Sequence, residues 1–436
     1  MSSWRAPRLR SPISAKVSIP GSKSQTARAL YLAAIGKHPC VIEGVLRSRD
    51  TDLFAQALRT LGAQIDMLGD SRAQITPISS DSPSSERVID CGLAGTVMRF
   101  LPPLAALSPT PTRFDGDEQA YARPLAPLLD VLESLGATLS YHGEKGHLPF
   151  TISGPLKPPS SPITVDASAS SQFFSAMLLV APLIGGAIIQ SNAPLISLPH
   201  IEMTLNMMQE VGLSWTQLGD RKWRVDAGAP TASEITIEPD LSNAGPFLCA
   251  GILSAGSVTI PNWPRTSTQP GAQWPSLFDE IGIETSLETN EMGSSDLTVR
   301  GGGPGSFPGI ERDMSAMGEM VPTLAALLLF ASTPSTLTGI AHLRGHETDR
   351  LDAIASSVSA LGGSIEELPD GLRITPASLH GAPLRSFADH RMATFAAIVG
   401  LLVDGVSVDD ISCTSKTLPG FESMWARMCG ESDVNV

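Results

Sequence analysis

The sequence is sparing with cysteine and has no cysteine pair at metal-binding or redox spacing. Cys40, Cys91, Cys249, Cys413 and Cys429 stand singly along 436 residues, with no CxxC and no histidine at ligand spacing. That pattern speaks against a zinc site or a disulfide framework and fits a reducing compartment. Basic residues are outnumbered, 30 Lys+Arg against 44 Asp+Glu for a net charge of −14. A global basic face of the kind nucleic acid or an anionic membrane needs is therefore not expected, and any anion site must be local. The uncharged stretch Phe173 to Asn192 is interrupted by Pro182 and Gly185-Gly186, which favours a buried helix running into a strand over a membrane span. Acids are missing from the first 42 residues, which hold seven basic ones. The first motif nevertheless begins at Pro20 and leaves too little room for a transit peptide, so the cytoplasm is expected.

What is present is a repeat. A helix ending recurs as "LRTLGAQI", "LESLGATL", "MQEVGLSW", "FDEIGIET", "VSALGGSI" and, more weakly, "WARMCGES", with glycines at 62, 136, 212, 282, 362 and 430. Each reads as a glycine just past a helix, followed by a strand. A second feature keeps the same step of roughly 73 residues: small or polar residues opening a wholly apolar helix. These openings are "GSKSQTARALYLAAI", "CGLAGTVMRFLPPLAAL", "SASSQFFSAMLLVA", "DLSNAGPFLCAGIL", "SAMGEMVPTLAALLLFA" and "DHRMATFAAIVGLLV". Each unit reads as apolar helix, strand, amphipathic helix and one or two further strands. The apolar helix, having no polar stripe, should be buried on all sides. Three units per domain is the natural division, with a boundary near "DAGAPTASEITI", residues 226 to 237.

The helix openings carry cations where the helix dipole disfavours them: Lys23 and Arg28, Arg99, and Arg391 beside Asp389 and His390. Hydroxyls, amides and glycine accompany them: Ser24, Gly95, Thr96, Ser170, Ser171 and Gln172, with Ser197 further on. Asp240, Ser242 and Asn243 read as ordinary N-cap chemistry. Arg123, Arg350 and Lys416 stand at matched places before the outer helices. Gathered on one face, such groups suit one or two small, oxygen-rich polyanions. Two acids, Glu319 and Glu347, lie among them as either ion-pair partners or proton-transfer groups.

The motifs "PGSKSQTARAL", "GLAGTVMR", "ARPLAPLLDVLESLGA", "SASSQFFSAML", "ISLPHIEMTLNMM", "HETDRL", "DHRMA" and "SKTLPGF" resemble, in order and spacing, the 5-enolpyruvylshikimate-3-phosphate synthase (3-phosphoshikimate 1-carboxyvinyltransferase) family over essentially the whole chain. The resemblance implies an α/β fold, an inside-out prism of two domains with three βαβαββ repeats each. Buried helices would aim their N-termini at an active-site cleft between the domains. It implies domains of residues 20–235 and of 1–19 plus 236–436, the N-terminal strand joining the C-terminal half. It further implies a monomer that transfers the enolpyruvyl group of phosphoenolpyruvate to the 5-hydroxyl of shikimate 3-phosphate, with no metal or organic cofactor and no nucleic-acid or membrane partner.

By the same resemblance, Lys23, Glu319 and Glu347 are catalytic. Shikimate 3-phosphate would be held by Lys23, Ser24, Arg28, Ser170, Ser171, Gln172, Ser197, Glu319 and His346. Phosphoenolpyruvate would be held by Lys23, Gly95, Thr96, Arg123, Gln172, Arg350, His390, Arg391 and Lys416, a pocket that the herbicide glyphosate would share. The chain departs from the family pattern at Glu319 (usually Asp), His346 (usually Lys), His342 (often Asn), Leu93 (usually Asn) and Phe100 (usually Pro). The sister transferase acting on UDP-N-acetylglucosamine typically shows asparagine after the first lysine and a loop cysteine. Here Ser24 follows Lys23 and "GDEQAYARP" has no cysteine. A non-catalytic polyanion binder would gain nothing from Glu319 and Glu347, and an RNA 3′-phosphate cyclase reading lacks its histidine motif.

Overall fold

The computed structural model describes residues 3–79, 86–168, 170–290 and 293–430. The chain divides into two compact units: Gly21–Ile237, and Met1–Pro20 together with Glu238–Val436. Each has its own apolar core.

All six apolar segments fold as buried helices: Lys23–Ala34, Gly95–Ala105, Ser171–Val180, Leu241–Leu253, Val321–Leu328 and His390–Gly400. Every residue of Leu241–Leu253, Val321–Leu328 and His390–Gly400 is buried. With about 1.5–3 kcal/mol from each fully buried Leu or Phe side chain, these helices are held by what surrounds them. The outer helices are two-sided: Arg49–Thr60 buries Phe54, Ala55, Ala57 and Leu58 and exposes Gln56 and Arg59. It opens on a Ser48–Thr51 capping box. The six glycines that end the outer helices all have positive φ, from 71° at Gly282 to 110° at Gly62. A residue with a Cβ is strained in that conformation.

Each four-stranded sheet has the same plan. In Arg87–Asp90, Thr112–Asp115, Phe150–Ser153 and Thr138–Tyr141, the first pair is parallel and the other two antiparallel. The chain reaches the parallel neighbour through a buried helix, as a crossover requires. The sheets with Ala187–Gln190 and Ser335–Thr338 as second strands repeat the plan.

At the two chain crossings the parallel edge strands are exchanged. Ser14–Lys16, which precedes the first buried helix, pairs with Ser257–Ile260 of the fourth repeat. Glu234–Thr236, which precedes the fourth, pairs with Cys40–Glu43 of the first. The sixth sheet has only three strands among the described residues. Trp4–Arg5 lies antiparallel to Ser407–Val408, where the other repeats place a returning hairpin strand. Glu431 and Ser432 of the weakest repeat motif lie outside the described residues.

The crossing at residue 21 needs glycine because backbone approaches backbone: a Cβ on Gly21 would stand 1.8 Å from the Gly44 carbonyl oxygen. No side-chain rotation relieves that contact. Gly21→Ala is therefore expected to destabilise the protein by at least about 2 kcal/mol, read as a lowered denaturant midpoint against wild type.

Candidate functional site

In the unit Gly21–Ile237 the first buried helix is capped by Ser22, whose side chain accepts from the Gln25 amide at 3.4 Å. Lys23, in the first turn, donates to Asp50 Oδ2 at 3.2 Å. Arg28 is 1% exposed. Its Nε donates to Thr204 Oγ1 at 2.7 Å, Nη1 to the Ser24 carbonyl at 2.9 Å and Nη2 to the His200 carbonyl at 3.0 Å. The guanidinium also lies 5.1 Å from the Phe100 ring centroid, a cation–π contact. Arg28 thus ties together the helices Lys23–Ala34 and Leu198–Glu210, and Phe100 at its unusual position is the face it stacks on.

The densest group surrounds Gly95. A Cβ there would lie 3.0 Å from Arg99 Nη1, 3.1 Å from Arg123 Nη2 and 3.2 Å from Gln172 Oε1. Arg123 donates to the Leu93 carbonyl at 2.9 Å, a backbone contact that does not depend on the side chain at position 93. Arg99 donates to Gln172 Oε1 at 2.8 Å and packs 5.2 Å over Phe173. Burial first, and then the Arg123 charge, hold the Arg99 guanidinium well below its usual pKa. Because arginine can only donate, the Gln172 oxygen must face it, which directs the Gln172 NH₂ elsewhere as a donor. The Ala94 N-cap makes no side-chain hydrogen bond to this helix start. Ser170 caps the helix Ser171–Val180 through the Gln172 amide at 3.3 Å. Thr96 and Ser171 are buried. Ser197 precedes its helix in the left-handed region at φ 51°, a strained conformation of the kind that collects at binding sites.

In the other unit, three cations each meet a carboxylate. Arg350 grips both oxygens of Asp389, at 2.7 and 3.2 Å, with side-chain exposures of 3% and 0%. Asp389 also caps the helix His390–Gly400 through the Arg391 amide at 2.8 Å. Lys416 Nζ stands 3.0 Å and His390 Nδ1 3.3 Å from Glu347 Oε2. Arg391 Nη2 donates to Glu319 Oε2 at 3.3 Å, and Ser242 Oγ to Glu319 Oε1 at 2.6 Å. His346 Nδ1 meets Arg350 Nη1 at 3.2 Å. It must accept there, so in the neutral ring Nε2 carries the proton. Burial holds His390 below the ordinary histidine pKa, against the pull of Glu347.

Glu347, Asp389 and His390 offer ligand atoms all within 4.8 Å of one another. A divalent ion does not fit there, because Arg350 and Lys416 already occupy the carboxylate oxygens. Charge of that sign repels a metal.

The structure therefore gathers Gly95, Arg123 and Gln172 into one group, and Glu319, His346, Glu347, Arg350, His390, Arg391 and Lys416 into another. Arg99, Ser242 and Asp389 join them as supporting partners, and Asp50 pairs separately with Lys23. An acid or serine at a helix start is ordinary capping chemistry, so Asp50, Ser242 and Asp389 carried little local signal.

The family model for EPSP synthase (3-phosphoshikimate 1-carboxyvinyltransferase) matches residues 7–425. The chain is 45% identical over 443 residues to the 3-phosphoshikimate 1-carboxyvinyltransferase of Bifidobacterium longum, covering 98% of each. It is 46% identical over 437 residues to that of Kocuria rhizophila, covering 98% of this chain and 96% of the relative. Among solved structures, an EPSP synthase from Acinetobacter baumannii superposes with a TM-score of 0.80 at 22% identity, covering 98% and 97% of the two chains. The enolpyruvyl transferase NikO from Streptomyces tendae gives 0.75 at 18%, covering 98% and 96%. Those two show the shared fold, the repeat-built α/β architecture of enolpyruvyl transferases. The family match and the full-length identities make this chain a member of the EPSP synthase family.

Among the described residues no helix is long and apolar enough to cross a membrane. His342 beside the site generates a pH prediction. Burial lowers its pKa, and its Nε2 is buried without a hydrogen-bond partner. A histidine with a lowered folded-state pKa adds stability above its unfolded pKa of about 6.5 and loses it as pH falls below that. The thermal midpoint of His342→Asn should accordingly fall less between pH 7 and 5 than that of wild type, as followed by circular dichroism.

Proposed function

We propose that these two groups of residues carry out the enolpyruvyl transfer for which the family is named, from phosphoenolpyruvate to the 5-hydroxyl of shikimate 3-phosphate. In this reading Lys23, Ser24, Arg28, Ser170, Ser171, Gln172, Ser197 and His346 hold shikimate 3-phosphate. Gly95, Thr96, Arg123, Arg350, His390, Arg391 and Lys416 hold phosphoenolpyruvate, with Lys23 and Gln172 serving both substrates. The observation that carries an enzyme over an anion binder is the placement of two carboxylates among the cations. Glu319 is fixed by Ser242 and Arg391, and Glu347 by Lys416 and His390. Acids beside a polyanion weaken its binding, and they are explained by proton transfer.

The steps balance without a cofactor. A proton added to the methylene carbon of phosphoenolpyruvate by Glu347 leaves positive character on the neighbouring carbon. The 5-hydroxyl oxygen adds there while Glu319 accepts its proton, giving a tetrahedral intermediate. Return of a methyl proton to Glu347 re-forms the double bond as the carbon–oxygen bond to phosphate breaks. Lys23 supplies a proton toward the departing phosphate, and the arginines stabilise its charge.

Mixing the protein with both substrates should release phosphate, with neither substrate sufficient alone. Lys23→Met should lower that rate by about 100-fold or more, given the contribution of a single proton-transfer group. Binding of both substrates without phosphate release would sink the reading. Gly95→Ala is expected to raise the KM for phosphoenolpyruvate and weaken glyphosate inhibition. Its methyl would stand 3.0–3.2 Å from Arg99, Arg123 and Gln172, a few tenths of an ångström inside comfortable contact. Steady-state titration of both compounds measures the effect.

A further inference from the structure

We propose that Ser242 is a positioning residue for Glu319, an assignment that rests on Glu319 being the group that takes the hydroxyl proton. Ser242 is 3% exposed and sits in the first turn of the helix Leu241–Leu253. That helix end is already served by others. Asp240 Oδ1 accepts from the Asn243 amide at 3.0 Å, and Gln269 Oε1 accepts from the Leu241 amide at 3.1 Å. The serine hydroxyl turns away from its own backbone and donates to Glu319 Oε1 at 2.6 Å, across 77 residues of sequence. That distance is typical of a hydroxyl bound to an ionised carboxylate.

The chemistry of the pair gives the contact a purpose. Glu319 projects from the short 3₁₀ turn Gly318–Met320 on a side chain one methylene longer than aspartate, with one more bond to immobilise. Ser242 holds one oxygen and Arg391 the other, at 3.3 Å, so the carboxylate plane is fixed at two points. The two partners differ in what they can do next. Arginine only donates, whereas a hydroxyl donates to the ionised carboxylate and can rotate to accept from the protonated one. Of the two, Ser242 alone can stay bonded to Glu319 on both sides of the proton transfer.

The test uses the full chain and steady-state phosphate release with both substrates. Ser242→Ala should lower kcat about 10- to 100-fold, part of the 10²–10⁴-fold range of general-base catalysis, while KM for each substrate stays within about two-fold of wild type. Ser242→Thr, which keeps the hydroxyl, should recover most of the rate. Glu319→Asp withdraws the carboxylate from Ser242, so in that background Ser242→Ala should cost less than about two-fold more, the non-additivity expected of a coupled pair. Unchanged kcat in Ser242→Ala, or an equal loss in the Glu319 and Glu319→Asp backgrounds, overturns the proposal. Glu319→Gln separates the two levels. If it turns over at the wild-type rate, the base assignment itself fails. If it is inactive while Ser242→Ala is unimpaired, only the role of Ser242 fails.

Discussion

A guanidinium or ammonium taken out of water must be answered by something, and the choice of answer divides this protein's chemistry. Desolvating such an ion costs several kcal/mol unless charge or hydrogen bonds offset it. In the unit containing residues 238–436, the answer is carboxylate: Asp389 for Arg350, Glu347 for Lys416 and Glu319 for Arg391. In the unit Gly21–Ile237, Lys23 likewise meets the carboxylate of Asp50, while Arg28 and Arg99 also meet neutral oxygen and aromatic faces. Thr204, two backbone carbonyls and Phe100 serve Arg28, while Gln172 and Phe173 serve Arg99. A neutral partner satisfies a donor without itself carrying a charge, which suits holding a phosphate or carboxylate. Acid partners cancel the positive charge but supply sites for a proton. The first set favours anion binding and the second favours acid–base chemistry, from the same repeated helix opening.

That repeat is not a string of self-sufficient modules. The unit Gly21–Ile237 is one continuous stretch of chain, because Glu234–Thr236 supplies the edge strand that its first sheet lacks. Its counterpart is assembled from both ends of the chain. Ser14–Lys16 completes the sheet of the fourth repeat and Trp4–Arg5 that of the sixth. These pairings join residues separated by more than two hundred positions. Their loop-closure entropy is met late, once the partner strands exist.

The periodic features were legible because they are local. A glycine past a helix and an apolar helix without a polar stripe each follow from a few neighbouring residues, and all six of each appear where the spacing places them. The cations were legible for a similar reason: Lys23, Arg28, Arg99 and Arg391 conflict with the dipole of their own helix. What the sequence concealed was pairing at a distance. Asp50 reaches Lys23 from the next helix, Asp389 both caps a helix and grips Arg350, and Ser242 reaches Glu319. Each looks locally like a capping residue. Nothing within a few residues distinguishes a serine bonded to its own backbone from one bonded to a carboxylate 77 positions away. The strand exchange was only half visible. Apolar alternation marks Glu234–Thr236 as a strand but says nothing about which sheet receives it.

The departures from the family pattern sort by which atom does the holding. At position 93 the carbonyl binds Arg123, a contact that any side chain there would leave in place. At 100 a ring replaces proline and gives Arg28 a surface to stack on. At 319 the lengthened carboxylate, the group proposed above to take a proton, is matched by partners on both oxygens. At 346 a point charge gives way to an imidazole whose Nδ1 accepts from Arg350, leaving Nε2–H as its donor in the neutral ring. A lysine offers three donors and a persistent charge, whereas a neutral imidazole offers one donor. The exchange gives up a fixed ammonium charge for a planar ring that is tied through Nδ1 to Arg350.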